Sequence, residues 1–208
     1  MTAAVAFAVA GAAGATTVVS GSYQLQDGSF GTGLGVHSNG TQSGNTLNAH
    51  VNQDGSAVTF TSTDTLSQTG SGEATIDGPF GNLDVNFAKS WDAITFAFSL
   101  PNGHGAPTSS QMEIFINGSS TAAFDTSNCL VLCDLGNHGE QKFIVSGLGG
   151  ASIDELKFEF SNPIDNGKQF RVMGGVPEPT AWSMMLLGFF SAGALLRGRR
   201  KTAQAHLG

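Results

Sequence analysis

The chain has 208 residues, of which 40% are hydrophobic, only 12% are charged and 29 are glycine. This length fits one domain with terminal extensions, and turn-forming residues take the place of the missing charges. Four of the nine basic residues lie between Arg197 and Lys201, so the rest of the chain is strongly acidic. An acidic surface repels phosphate backbones and anionic lipid, which argues against nucleic-acid binding and is compatible with a secreted protein.

The first predicted element is an export signal over residues 1–15. These residues are almost all small and apolar, and Ala13, Gly14 and Ala15 resemble the site that signal peptidase reads. The basic start of a signal peptide is missing. Two alternatives to a complete signal therefore stay open: the true start lies upstream, or the segment is a buried first strand.

Short runs rich in β-branched and aromatic residues follow, separated by Gly, Asn and Asp clusters about every ten residues. The predicted strands are Thr16–Ser20, Leu47–Val51, Ala57–Thr61, Glu73–Ile76, Leu83–Phe87, Ala93–Leu100, Met112–Ile116, Gln141–Val145, Ile153–Phe160 and Gln169–Met173. The predicted hairpin and loop tips are Asn52–Gly55, Asp77–Gly81, Pro101–Pro107 and Asn162–Gly167. The Gly-rich stretch Gly28–Gly44 suits a loop as well as a sheet.

This rhythm predicts an all-β ectodomain over residues 16–173. Ile94, Phe96 and Phe98 share one face of their strand, with polar partners on the other face. Half-buried strands of this kind pair into packed sheets, so we expect a two-sheet β-sandwich of jelly-roll type, with a closed barrel as the second choice. No stretch of the body sustains a helical period.

The two cysteines, Cys129 and Cys133, are close enough to close a small disulfide loop in an exported protein. Two reduced, buried thiols are the alternative. A zinc site with His138 as a third ligand lacks a fourth ligand at a recognisable spacing.

Motifs of known enzymes are not apparent in the body. Gly31, Gly33 and Gly35 alternate, but no strand-to-helix transition follows, so they predict a flexible loop and not a dinucleotide site. No serine sits in a Gly-x-Ser-x-Gly elbow, and the histidines His37, His50, His104 and His138 are scattered along the chain. We therefore expect no catalytic residues and no cofactor.

Two binding chemistries remain open. Asp54, Asp77 and Asp165 with Asn166 lie in predicted turns and could supply oxygen ligands for Ca²⁺, although turn chemistry alone explains them. Sugar binding needs exposed aromatic faces, and besides Phe the body offers Trp91 and Tyr23. We expect Trp91 to be a core residue.

The C-terminal region, residues 174–208, has three parts in a fixed order. Gly174 and Gly175 form a linker to Pro177, Glu178 and Pro179, which stay extended because proline fixes φ and lacks an N–H donor. The sixteen residues Ala181–Leu196, which include Trp182, carry no charge and would span about 24 Å as a helix, slightly less than a hydrocarbon core of about 30 Å. A basic stop follows, made of Arg197, Arg199, Arg200 and Lys201. The positive-inside rule places this stop in the cytoplasm and the body outside.

This order, from Val176 to Lys201, resembles the tail of PEP-CTERM proteins, the exported substrates of bacterial exosortases. The resemblance implies that an exosortase recognises Pro177–Pro179, cuts nearby and releases or re-attaches the body at the cell surface. Residues 202–208 make the tail slightly longer than the family pattern. The body segments around Gly70–Ala74 and Gly149–Ile153 are loosely similar to the ectodomain that accompanies many such tails.

The resemblance implies a surface or matrix protein of an exopolysaccharide-producing bacterium. Because the body carries no catalytic motif, we expect a structural or adhesive role and no enzymatic activity. The expected partners are an exosortase, the membrane during sorting, and extracellular polysaccharide. A carbohydrate-binding module is the alternative function, and a secreted hydrolase whose carboxylates carry no motif is the third.

Overall fold

The computed structural model describes residues 16–174 except residues 30, 32, 71, 103–104 and 137–138. This part of the chain contains eleven strands and no helix. They are β1 (Thr17–Ser20), β2 (Tyr23–Asp27), β3 (Leu34–Ser38), β4 (Gln42–Val51), β5 (Ala57–Gln68), β6 (Thr75–Trp91), β7 (Ala93–Ser99), β8 (Ser109–Ile116), β9 (Asp134–Gly136), β10 (Gln141–Gly147) and β11 (Ile153–Met173). Among these residues, no helix is long and apolar enough to cross a bilayer. The predicted export signal and membrane helix lie outside the described residues.

The strands form one hydrogen-bonded network in the order β1-β2-β10-β7-β11-β3-β4-β5-β6, to which β8 and β9 attach beside β11. All pairings are antiparallel. Because β6 also pairs with β11, the strands β11, β3, β4, β5 and β6 make a closed hydrogen-bonded circuit. The prediction of an all-β, sandwich-like body is confirmed.

Two long strands replace two predicted pairs of short ones. The segments Asp77–Gly81 and Asn162–Gly167 lie inside β6 and β11, so the prediction of loop tips there is wrong. Asp77 stands opposite Asn166, and the register between the strands shifts on either side of Ile164. The turn-forming residues therefore serve a shared bend with bulges in two paired strands.

Gly78 shows why a glycine is needed at this bend. A side-chain carbon at Gly78 would lie 2.7 Å from the nitrogen of Phe80 and 2.8 Å from the carbonyl oxygen of Ile164. Such a close approach of two backbones excludes every residue with a Cβ. Glycine is needed here because the backbone is crowded, and not because the chain reverses direction.

The prediction of a flexible loop at Gly31, Gly33 and Gly35 is also wrong in part. Gly35 belongs to β3 and stands opposite Arg171 of β11. The imidazole ring of His37 lies 3.3 Å from the place of a Cβ at Gly35, so a side chain at this position would press on that ring. β3 contains few apolar residues, so the periodicity of apolar residues in the sequence did not predict it.

The core is built from phenylalanine rings on neighbouring strands. Phe158 of β11 lies between Phe96 and Phe98 of β7, at centroid distances of 4.8 and 4.9 Å. Phe170, on the second half of β11, contacts Phe60 of β5 at 5.0 Å. All five rings are buried. Edge-to-face pairs of this kind each contribute about 0.5–1.5 kcal/mol beyond the burial of their area.

The second face of β7 differs from the prediction. Thr95 and Ala97 are as buried as Phe96, although polar residues were expected to face solvent there. The register places Ala97 between Lys142 of β10 and Lys168 of β11. Long side chains on both neighbouring strands can lay their aliphatic stems over a small residue between them.

We predict opposite effects for methionine at two paired glutamines. Gln68 is fully buried and neither polar atom of its side chain has a partner, so Gln68→Met should raise the free energy of unfolding by about 1–3 kcal/mol. Its register partner Gln42 makes two hydrogen bonds with the backbone of Asn48, so Gln42→Met should lower that free energy by about 1 kcal/mol. Urea unfolding of both variants is the measurement. A loss of stability in Gln68→Met contradicts the prediction.

Candidate functional site

The most distinctive local structure is a short loop closed by a disulfide. Cys129 and Cys133 are bonded, with their Cα atoms 5.3 Å apart, and both residues are buried. A bonded pair is not available as zinc ligands, so neither the zinc alternative nor the alternative of reduced thiols describes this structure. Three residues lie between the two cysteines: Leu130, Val131 and Leu132.

Hydrogen bonds hold this loop in one conformation. One carboxylate oxygen of Asp125 accepts the N–H of Ser127 at 2.8 Å, and the Asp125 carbonyl accepts the N–H of Cys129 at 2.8 Å. The hydrogen bond from the Ser127 hydroxyl is the main cause that lowers the pKa of Asp125. The carbonyl of Cys133 accepts the N–H of Met112, which ties the end of the loop to β8.

The loop exposes two apolar side chains to solvent. Leu130 is 71% exposed and Val131 is 77% exposed, the two highest values among the large hydrophobic residues of the described chain. We call these two side chains the apolar tip. Exposed apolar side chains held rigidly are typical of contact surfaces, because little conformational entropy is lost when they bind.

A recess of about 500 Å³ lies directly beside the apolar tip. Leu132 and Phe143 supply buried apolar walls, and Val131 belongs to the rim. The remaining wall is polar and comes from the starts and ends of neighbouring strands: Thr16, Asp27, Gly28, Glu140, Gln141 and Lys142. The volume lies within the range of small-molecule pockets, although the polar share of the lining is high.

Glu140 organises the charges next to this recess. Its carboxylate lies 2.9 Å from the Lys168 nitrogen and 3.4 Å from the Lys142 nitrogen, and accepts a hydrogen bond of 2.6 Å from Gln169. Gln169 has a φ of +56° within a register shift of β11, and this bulge permits its side chain to reach Glu140. Burial alone would raise the pKa of Glu140, but the hydrogen bonds and charges of Lys168 and Lys142 outweigh it and lower the pKa.

The aromatic residues considered for sugar binding do not form a platform. Trp91 is 3% exposed and part of the core, as expected, with the Lys89 nitrogen 5.6 Å from its ring centroid. Tyr23 is half-buried, and its hydroxyl accepts a hydrogen bond from Asn117. Trp91 therefore cannot stack on a sugar ring without opening the core.

Two of the four histidines considered at the sequence level come together. His37 and His50 face each other on β3 and β4, with ring centroids 6.1 Å apart, and His50 is hydrogen-bonded to Asn39. Next to them, Arg171 donates to both oxygens of Glu73 at 2.8 and 3.2 Å. His104 and His138 lie outside the described residues. Both carboxylate oxygens of Glu73 are therefore occupied by Arg171.

The acidic turn residues do not form one cation site. Asp54 accepts hydrogen bonds from Ser56 and pairs with Lys89 at 3.0 Å. Asp77 and Asp165 are close enough to interact, and burial followed by the Asp165 charge raises the pKa of Asp77. Within the described ranges, no group of three or more His, Cys, Asp or Glu side chains is arranged to hold a metal ion.

Two other carboxyl groups share the outward face of the β6–β11 pair. Burial raises the pKa of Asp84, and burial with the charges of Asp84 and Asp154 raises the pKa of Glu155. In the register, Asp84 stands opposite Lys157 and Glu155 stands opposite Asn86. A smaller recess of about 230 Å³ on this side is lined by Glu113 and Glu159 with Gln111, Phe160 and Ser161, and not by Asp84 or Glu155. The carboxyl groups with raised pKa values therefore do not converge on that recess.

The residues of the predicted sorting signal, Pro177, Glu178, Pro179 and Trp182, lie outside the described residues. So do the basic residues of the predicted stop: Arg197, Arg199, Arg200 and Lys201. The described part ends at Gly174, and the boundary between two units of the chain falls directly after it. Comparison of the chain with known protein families, curated proteins and solved structures finds no match.

Sequence reasoning missed the apolar tip, although a signal for it exists. A loop of three residues between bonded cysteines is too short to bury all of its apolar side chains: Leu132 is buried, and Leu130 and Val131 are exposed. The interaction of Glu140 with Lys168 had no such signal, because it depends on the register of β10 and β11 on either side of β7.

We predict that the interactions of Glu140 stabilise the body in a pH-dependent way. Its pKa is lower in the folded than in the unfolded state, so the stabilisation is present above the ordinary Glu pKa of about 4.3 and is lost as the pH falls through the folded value. Glu140→Gln should lower the free energy of unfolding by about 1 kcal/mol at pH 7 and by less at pH 3.

Glu159→Gln is the matched control, because Glu159 forms an exposed pair with Lys157 in which both side chains are more than 40% exposed. We expect it to change stability by less than about 0.5 kcal/mol at either pH. Urea unfolding at the two pH values measures both variants. Equal effects of the two substitutions at pH 7 would contradict the assigned role of Glu140.

We predict that loss of the disulfide has a moderate effect on stability. Chain entropy for a closed loop of about five residues gives on the order of 2 kcal/mol, so the double variant Cys129→Ser, Cys133→Ser should unfold at a lower temperature but keep its strands. Circular dichroism during thermal unfolding is the measurement. The wild type under reducing conditions should behave like the variant, and unchanged melting in both cases would rule out a stabilising disulfide.

Proposed function

We propose that this chain is an exported cell-surface or extracellular-matrix protein that an exosortase sorts and processes through its C-terminal signal. Its role is structural or adhesive and not enzymatic. The body is delivered by residues 1–15, is held at the membrane by the helix Ala181–Leu196, and is then cut near Pro177–Pro179. The producing cell is an exopolysaccharide-forming bacterium.

The observation that carries this proposal is the position of the last strand relative to the sorting signal. β11 ends at Met173, four residues before Pro177, and it takes part in the central pairings with β3, β6, β7 and β8. A cut near Pro177–Pro179 would therefore leave every strand of the described body in the released product. The disulfide adds support, because such bonds persist in oxidising compartments outside the cytoplasm.

We also infer that the sandwich is of the jelly-roll type. β6 and β11 are long and bend at shared register shifts, and the two halves of β11 pair with different neighbours, β8 along the first half and β7 and β3 along the second. This behaviour is typical of strands that contribute to both layers of a sandwich.

The test of the proposal is mass spectrometry of the protein isolated from the envelope of the cells that make it. We expect a product that lacks residues 1–15 and everything after the Pro177–Pro179 region. Pro177→Ala with Pro179→Ala should leave the tail uncut, because the element can then join the helix behind it. Pro163→Ala, an exposed proline within β11, is the control and should be processed like the wild type. An intact chain in the cytosol would refute the proposal.

A further inference from the structure

The apolar tip is a rigid projection. Leu130 and Val131 are held between two bonded and buried cysteines, and hydrogen bonds to Asp125 and Met112 fix both ends of the loop. Leu130 is 71% exposed and Val131 is 77% exposed, so most of the surface of both residues is open to solvent. A contact made by this tip loses little conformational entropy, because the backbone is already ordered.

The recess is a concave site directly next to this projection. Its apolar walls, Leu132 and Phe143, could accept an aliphatic side chain, and its polar rim contains Asp27, Glu140 and Lys142. Val131 belongs both to the tip and to the rim. A projection and a recess that share a residue form a patch that can complement itself when rotated by a two-fold axis.

We propose that the recess receives the apolar tip of a second copy of this chain, so that two bodies form a symmetric dimer. The tip of each copy lies in the recess of the other, and the two-fold axis passes close to Val131. Such a dimer would be one form of the proposed structural role, and only its location at the cell surface or in the matrix rests on that proposal. The contact itself requires only the described body.

The distribution of charge favours contact between two copies at the recess over contact elsewhere on their surfaces. The body is acidic and carries only five basic residues before the tail, so two copies repel each other over most of their surface. Two of those five, Lys142 and Lys168, lie beside Glu140 next to the recess. Because positive and negative side chains lie close together there, two acidic copies repel each other less at the recess. Each copy also presents side chains of both charges to the other.

The C-terminal end of the described body is compatible with this arrangement. Gln141, which lines the recess, is the first residue of β10 and stands opposite Phe98 of β7, whereas Met173 stands opposite Ala93 at the other end of β7. The last strand of the described body therefore ends away from the proposed contact. Because the tip has only two side chains, we expect a weak dimer whose formation depends on a high local concentration.

The test uses the full-length chain in a neutral detergent, with micelles in excess so that two chains do not share one by chance. A photo-crosslinking analogue, p-benzoylphenylalanine, replaces Leu130, and ¹⁵N-labelled chains are mixed with unlabelled chains before irradiation. We expect mixed-isotope crosslinked dimers in which position 130 of one copy is joined to the peptide that contains Gln141, Lys142 and Phe143 of the other.

The same analogue at Leu148 is the matched control. Leu148 is 37% exposed and lies at the opposite end of β10, where its N–H donates to the Ser22 carbonyl, so it should give no such crosslink. The double variant Leu130→Ser, Val131→Ser should weaken dimerisation at least tenfold in sedimentation experiments, whereas Val19→Ser at an exposed valine of β1 should not.

Each outcome decides the inference independently of the sorting proposal. Crosslinks only within one copy, only to detergent, or equally from positions 130 and 148 would overturn the dimer. A sedimentation profile unchanged by the double variant would do the same. None of these results depends on processing near Pro177–Pro179, which the envelope measurement tests separately.

Discussion

The described body depends on the packing of β11 against β7 through phenylalanine rings. Phe158 fits between Phe96 and Phe98, and Phe98 also contacts Phe160 at 5.1 Å and Phe170 at 6.4 Å. Through these rings, both halves of β11 are fixed to one central strand. β11 in turn pairs with β3, β6, β7 and β8, so the position of these strands follows from the same contacts.

The bends of the long strands explain how one network can enclose this core. Asp77 and Asn166 stand opposite each other where β6 and β11 change register, and Gly78 allows the backbones to approach there. A second register shift between Lys168 and Arg171 includes Gln169, whose side chain reaches Glu140. Irregular positions of the sheet thus bring together the polar side chains next to the recess.

The candidate site combines two features of different origin. The apolar tip is a local structure, because a disulfide between residues four apart and the hydrogen bonds of Asp125 define it. The recess is a tertiary structure, since Thr16, Asp27, Val131 and Phe143 come from distant parts of the chain. The carboxyl groups of Asp77, Asp84 and Glu155, whose pKa values are raised, lie on β6 and β11 and do not line this recess.

The sequence by itself determined the all-β class, the burial of Trp91 and the positions of most strands, because alternation of apolar side chains is a local property. The order Pro-Glu-Pro, apolar stretch and basic stop is likewise a linear pattern, and the sorting hypothesis starts from it. Tertiary structure decided that Asp77–Gly81 and Asn162–Gly167 continue strands, since each segment is held extended by the other. It also decided the burial of Thr95 and Ala97 and the contact of Glu140 with Lys168, because register between distant strands sets which side chains meet.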